Sequence, residues 1–262
     1  MRETDPGGFA AAPRRDPAGT RSGLPEWARV LAVVAHPDDE SFGLGAVLAA
    51  FASDGADVGV LCLTRGEAST LHGVPGDLGV PGDLGDLGPI RAAELAEAAR
   101  MLGVEDVTLL DEPDGALDAV DPQRLATHVL AAITRFQPDG MVAFDDDGVT
   151  GHPDHAAATR CALAVAAQRG LPVLGWALPT EVASRLNAEY GAAFTGRTRD
   201  ELDLTITVDR TRQRTAVGAH ASQAVPGSVL WRRLELLGRS EHLHWLAPPP
   251  PPRPPGRSTG SG

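Results

Sequence analysis

The chain of 262 residues contains no lysine, since all 23 of its Lys+Arg positions are arginine. This excludes a Schiff-base lysine and any phosphate loop that depends on one. Cysteine is scarce too: Cys62 and Cys161 both lie in apolar segments and read as reduced core residues rather than as a disulfide pair. No apolar run reaches the 18 residues that a membrane-spanning helix needs. Residues 1–23 alternate Arg, Asp, Pro and Gly around one short apolar patch, which is not the pattern of a signal peptide, so a cytoplasmic location is expected. A formal net charge of -12, with no basic run in the central body, argues against nucleic acid or an anionic membrane as the principal partner. No G-x-S-x-G elbow occurs, which disfavours a serine hydrolase.

What is present is mostly apolar: 42% of the residues are hydrophobic, enough for one substantial core. Residues 1–24 read as a disordered lead and 248–262 as a proline-rich tail. Between them, 25–247 read as a single domain in which strand and helix alternate. Strands are expected at 28–34, 57–63, 106–110, 140–144 and 172–177, and helices at 42–54, 89–102, 121–136 and 154–169. This order predicts an α/β fold, Rossmann-like and doubly wound, its mostly parallel sheet covered by helices on both faces. The remainder reads as an α+β extension: a helix, a strand at 202–208, two helices and a short strand at 242–246. Residues 74–79 and 80–85 repeat the hexapeptide V-P-G-D-L-G within a 73–89 loop, either a tolerated duplication or a lid over a substrate.

Two clusters carry chemistry. Ala35-His36-Pro37-Asp38-Asp39-Glu40 follows the first strand, and Gly151-His152-Pro153-Asp154-His155 follows the fourth. Charges held beside apolar surface need a partner, and a divalent metal is a suitable one. In the common doubly wound order the first and fourth strands are neighbours, and the crevice opens between their carboxyl ends. Topology alone therefore brings the clusters together. A hydrolytic zinc site uses three protein ligands drawn from His and carboxylate, which one carboxylate and one imidazole from the first cluster and one imidazole from the second would supply. The spacing leaves open which aspartate and which histidines bind.

The competing explanations are local. Asp38 or Asp39 could cap the helix near 42, with Glu40 favouring its dipole, and Pro153 could simply open a helix with His152 incidental beside it. Gly43-Leu44-Gly45 resembles a dinucleotide loop weakly, with Leu48 at the third glycine position and no acid at the required distance before Glu67.

The motifs A-H-P-D-D-E, Arg91 with Glu94, Pro113-Asp114-Gly115, G-H-P-D-H and His220-Ala221-Ser222-Gln223 resemble the LmbE-like (PIG-L) zinc-dependent de-N-acetylases over about residues 28–225. The resemblance implies His36, Asp39 and His155 as ligands of one Zn2+ per chain, although Fe2+ suits the same donors. It implies Asp38 as general base and His152 as the group that acts on the oxyanion and can serve as proton donor. The expected substrate is a small amino sugar, an N-acylglucosamine type that loses an acyl group, typically acetyl. An amidase on a mycothiol-like S-conjugate, or a non-catalytic sugar or nucleotide binder, is the alternative. Arg91 and Asp114 fall where substrate contacts are expected; a helix-surface salt bridge from Arg91 to Glu94 and a turn-forming role for Asp114 compete with that. Thr150 departs from relatives that carry a tyrosine there. Asp145-Asp146-Asp147 could orient a histidine of the second cluster.

Overall fold

The computed structural model describes residues 23–70 and 87–249. The hexapeptide repeat, nearly all of the amino-terminal lead and most of the proline-rich tail lie outside the described residues.

Strand β1 (Arg29–Val34) is buried on both faces beyond its first residue, as the five-residue apolar run Val30 to Val34 in a covered parallel sheet should be. It pairs in parallel with β2 (Asp57–Thr64) on one side and β4 (Gly140–Phe144) on the other. Outside these lie β3 (Asp106–Glu112) and β5 (Val173–Ala177). The carboxy-terminal part adds β6 (Leu204–Thr207) and β7 (Ser240–Ala247), both in antiparallel pairings. The full order is β3-β2-β1-β4-β5-β7-β6, a doubly wound half extended by an antiparallel edge.

Each face has its own core. One gathers β1 and β2 side chains such as Val30, Ala32 and Val60 against α2 (Gly45–Ser53) and α3 (Leu87–Leu102). The other sets Leu31, Val33 and Leu61 against α4 (Pro122–Phe136) and α5 (Pro153–Arg169). Helix α4 follows from local rules: Asp121 caps it by accepting from Gln123 N, Pro122 opens it, and Leu125, Val129, Ala132, Ile133 and Phe136 form its buried stripe. Each fully buried Val or Leu contributes about 1.5–3 kcal/mol of transfer free energy. Cys62 and Cys161 are free and buried.

One expectation needs correction. The helix expected at 42–54 begins earlier and is broken: α1 (Asp39–Phe42) lies within the first motif, and α2 starts at Gly45. Gly43 occupies the break because a Cβ there would lie 2.4 Å from the Phe144 ring. Packing explains this glycine without a nucleotide. Beyond β5 come α6 (Thr180–Tyr190), α7 (Thr211–Ala219) and α8 (Val229–Leu237). No described helix is long and apolar enough to cross a membrane.

Candidate active site

At the carboxyl ends of β1 and β4 the chain breaks its local rules. Asp38 holds φ at 113°, a conformation that costs a non-glycine residue about 1–3 kcal/mol and persists only where its surroundings impose it. Those surroundings are visible. Glu40, fully buried, accepts the Asp38 backbone N–H at 2.9 Å, and its other oxygen meets the Ser41 hydroxyl at 2.6 Å and His220 Nε2 at 2.7 Å. Asp38 does occupy the cap position of α1, but its side chain caps nothing. Its carboxylate instead faces Arg91 at 3.3 Å.

The two clusters meet. His36 Nδ1 lies 3.1 Å from His155 Nε2, His155 Nε2 lies 3.1 Å from Asp39 Oδ1, and Asp39 Oδ2 lies 3.6 Å from His36 Nδ1. The outer ring nitrogens are occupied elsewhere. His36 Nε2 stands 3.0 Å from Asp114 Oδ1 and 3.3 Å from Asp154 Oδ2; a carboxylate can only accept, so Nε2 carries a proton toward them and Nδ1 is the ring nitrogen turned inward. His155 Nδ1 is held at 2.7 Å by the Thr150 hydroxyl. Metal-binding histidines are characteristically fixed this way, by a partner on the outer nitrogen. Two ligands about 2.0–2.1 Å from a tetrahedral ion are about 3.3 Å apart, so the inward-facing donors fit a zinc-sized cation.

Other groupings are less suited. His36, His152 and His155 also bring nitrogens within 4.8 Å of one another, as do ligand atoms of His36, Asp114 and Asp154. However, Asp154 already accepts from Gly115 N at 2.8 Å and Leu117 N at 3.0 Å, and Asp114 accepts from Ala68 N at 2.7 Å. His152 caps α5 by accepting the Asp154 N–H on Nδ1 at 3.2 Å, which leaves its proton on Nε2.

Electrostatics separates the two adjacent aspartates. Burial pushes the Asp38 carboxyl up to about 6 against the pull of Arg91. For Asp39 burial acts in the same direction, but His155 and His36 overcome it and hold the carboxyl well below its usual range. Burial, reinforced by His36 and His155, lowers His152 and keeps it neutral at pH 7.

His36, Asp38, Asp39, Thr150, His152 and His155 line one cavity of about 610 Å³, together with Arg91, Asp114, Phe144 and Phe194. Arg91 is 3% exposed and makes no bridge to Glu94: it donates to Gly66 O at 2.6 Å and to Pro37 O. Glu94 instead accepts from the Ser222 backbone and hydroxyl at 2.8 and 2.6 Å. His220 lies beneath the site against Glu40, entirely buried. Asp145 orients no histidine of the second cluster; it binds His244 Nε2 at 2.6 Å and Arg197 Nε at 2.6 Å. Sequence reasoning gave no role to Asp154, whose sign was only its place inside G-H-P-D-H, nor to Arg233, which no motif marks.

Comparison with known proteins follows this geometry. Residues 31–166 match the family model PIG-L, described as GlcNAc-PI de-N-acetylase. A 1D-myo-inositol 2-acetamido-2-deoxy-alpha-D-glucopyranoside deacetylase from Nakamurella multipartita is 30% identical over 272 aligned residues, covering 86% of this chain and 91% of the relative. Its counterpart from Kineococcus radiotolerans is 34% identical over 210 residues, but the match covers 70% of this chain and only 55% of that relative. Among solved structures, the N,N'-diacetylchitobiose deacetylase of Pyrococcus horikoshii superposes with a TM-score of 0.58 at 22% identity, covering 84% of each chain, which is a likeness of fold. With the family model spanning both clusters and more than half of the sequence, the chain belongs to the PIG-L family.

Proposed function

We propose that this chain is a metal-dependent N-deacetylase that removes an acyl group, typically acetyl, from the amine of an N-acylglucosamine-type substrate. The observation that carries the proposal is the convergence of His36 Nδ1, Asp39 and His155 Nε2 within 3.1–3.6 Å, beside a differently tuned Asp38. These three residues would hold one divalent ion, Zn2+ by their chemistry, with Fe2+ as the competing occupant. When bound, such an ion makes water more acidic and polarises a carbonyl.

The chain's own groups divide the remaining work. Asp38 takes a proton from the attacking water, because its carboxylate lines the cavity while Asp39 is turned toward the histidines. Arg91 steadies that carboxylate from behind. His152 presents a neutral Nε2–H to the oxygen on which negative charge develops, the donor role its low basicity favours over that of a proton source. Asp154 and Thr150 hold the two ring orientations. Asp114, against His36 and the backbone of Ala68, borders the cavity where a sugar hydroxyl would lie.

The test is release of free amine from N-acetylglucosamine and its inositol glycoside, with and without a chelator. Asp38→Ala should abolish turnover while metal stays bound. Undiminished hydrolysis in that variant would refute the assigned base.

A further inference from the structure

The segment His220-Ala221-Ser222-Gln223, which follows α7, lends Gln223 to the cavity lining but no donor to the metal-ligand set. Its polar groups reach toward the supports of the site instead. His220 Nε2 lies 2.7 Å from Glu40 Oε1, both residues being fully buried. A carboxylate can only accept, so this nitrogen donates. Ser222 donates to both oxygens of Glu94 on α3, the helix that also carries Arg91, from its backbone at 2.8 Å and its hydroxyl at 2.6 Å. Gln223 accepts from the hydroxyl of Ser69 at 2.7 Å.

The first two of these contacts bear on Asp38. Its main chain is held on every side: Arg91 Nη2 donates to Pro37 O, Glu40 Oε2 accepts the Asp38 N–H at 2.9 Å, and Asp38 O accepts from Ser41 N at 3.0 Å and Phe42 N at 2.7 Å. Released from these bonds, a non-glycine residue would leave φ of 113° for a cheaper conformation. That conformation sets where the side chain points. The Asp38 carboxylate faces Arg91 at 3.3 Å and lines the cavity, while the next residue, Asp39, faces His155 at 3.1 Å. Glu40 is fixed in turn by the Ser41 hydroxyl, its immediate neighbour, and by His220, which comes from 180 positions away.

We propose that His220 is a positioning residue of the hydrolytic reaction: by orienting Glu40 it fixes the Asp38 main chain, and with it the direction from which the general base meets the attacking water. This deepens the reading of Asp38 as the base and rests on it. His220 does not line the cavity and acts only through Glu40. A base displaced by about 1 Å costs on the order of 10²-fold in rate, while substrate contacts made elsewhere in the cavity are kept.

His220 Nδ1 has no partner, so the Nε2 donor is the part of the ring that matters, and this selects the variants. In His220→Gln the amide nitrogen falls near the level of Nε2 and can still donate to Glu40. In His220→Asn it falls near the level of Nδ1 and does not reach. The experiment measures kcat, KM, metal content and melting temperature of the metal-replete full chain on N-acetylglucosamine for these two variants and Glu40→Gln, each alone and combined with Asp38→Asn.

His220→Asn and Glu40→Gln should lose about 10- to 100-fold in kcat with KM and metal content unchanged, whereas His220→Gln should keep most of the wild-type kcat. On the Asp38→Asn background both losses should all but vanish, because orienting an absent base gains nothing. If His220→Asn does not fold, Glu40→Gln carries the comparison. Failure of both to fold would overturn the proposal, since the pair would then serve stability rather than the base. Unchanged kcat in His220→Asn, a loss that follows metal content, or full additivity with Asp38→Asn would overturn it too, with the deacetylase reading left standing. Absence of hydrolysis by the wild-type chain would instead overturn the deacetylase reading, and this one with it.

Discussion

Two buried polar clusters lie at opposite sides of β5, and they are built on opposite principles. Around Glu241 each carboxylate oxygen has a donor, and Arg210 also reaches Gln213 Oε1 at 2.6 Å and Ser240 O at 2.7 Å. Donors there face acceptors. Around His36, Asp39 and His155 the outward atoms are paired, while the inward ring nitrogens and carboxylate oxygens crowd within 3.1–3.6 Å of one another. The first cluster is nearly complete as protein, with only the Arg233 edge open, whereas the second is the one proposed to be completed by a cation. Both are buried, so burial alone does not distinguish a structural network from a binding site; the crowding of ligand-type atoms on one point does.

Four substitutions would sharpen or break that contrast. Asp38→Asn should lower amide hydrolysis by about 10²–10⁴-fold with metal content and melting temperature nearly unchanged, the range expected for a lost general base. Glu241→Ala should act in the reverse way. It leaves Arg210 buried without its carboxylate and should cost about 3–5 kcal/mol in a denaturant titration, with the folded fraction still binding metal. Thr150→Val removes the hydroxyl that fixes His155 Nδ1 and should weaken metal affinity by about tenfold, read by competition with a chelator.

The smallest effect concerns pH. His244 and Arg197 overcome the cost of burying Asp145 and hold its carboxyl at about 2, below its ordinary 3.8. A depressed carboxylate stabilises the fold above its unfolded value and loses that contribution as pH falls through its folded value. About 2 kcal/mol should therefore disappear between about pH 4 and pH 2. In Asp145→Asn that acid-dependent portion should be missing from the stability curve.

The sheet was legible in the sequence because its signals are local. The apolar runs at β1 and β4 and the cap at Asp121-Pro122 need nothing distant to be interpreted. The meeting of the two clusters was legible too, because doubly wound topology makes β1 and β4 neighbours. What could not be read depends on side chains far apart in sequence. His220 reaches Glu40 across 180 positions, and Arg91 turns from the nearby Glu94 to Asp38 and the backbone of Gly66. Arg233 carried no signal, since an arginine on a half-polar helix reads as a surface residue until the helix is seen against Trp176. The break at Gly43 was missed for the same reason: it answers to the Phe144 ring.

The central claim is that His36, Asp39 and His155 together hold one catalytic divalent ion. Its most direct test is metal analysis by mass spectrometry of the purified full chain beside His155→Ala, with amide hydrolysis followed before chelation, after chelation and after restoring the metal. The account predicts about one divalent ion per wild-type chain, activity that vanishes and returns with it, and neither metal nor activity in the folded variant. Full activity in metal-free protein, or stoichiometric metal retained by His155→Ala, would contradict it.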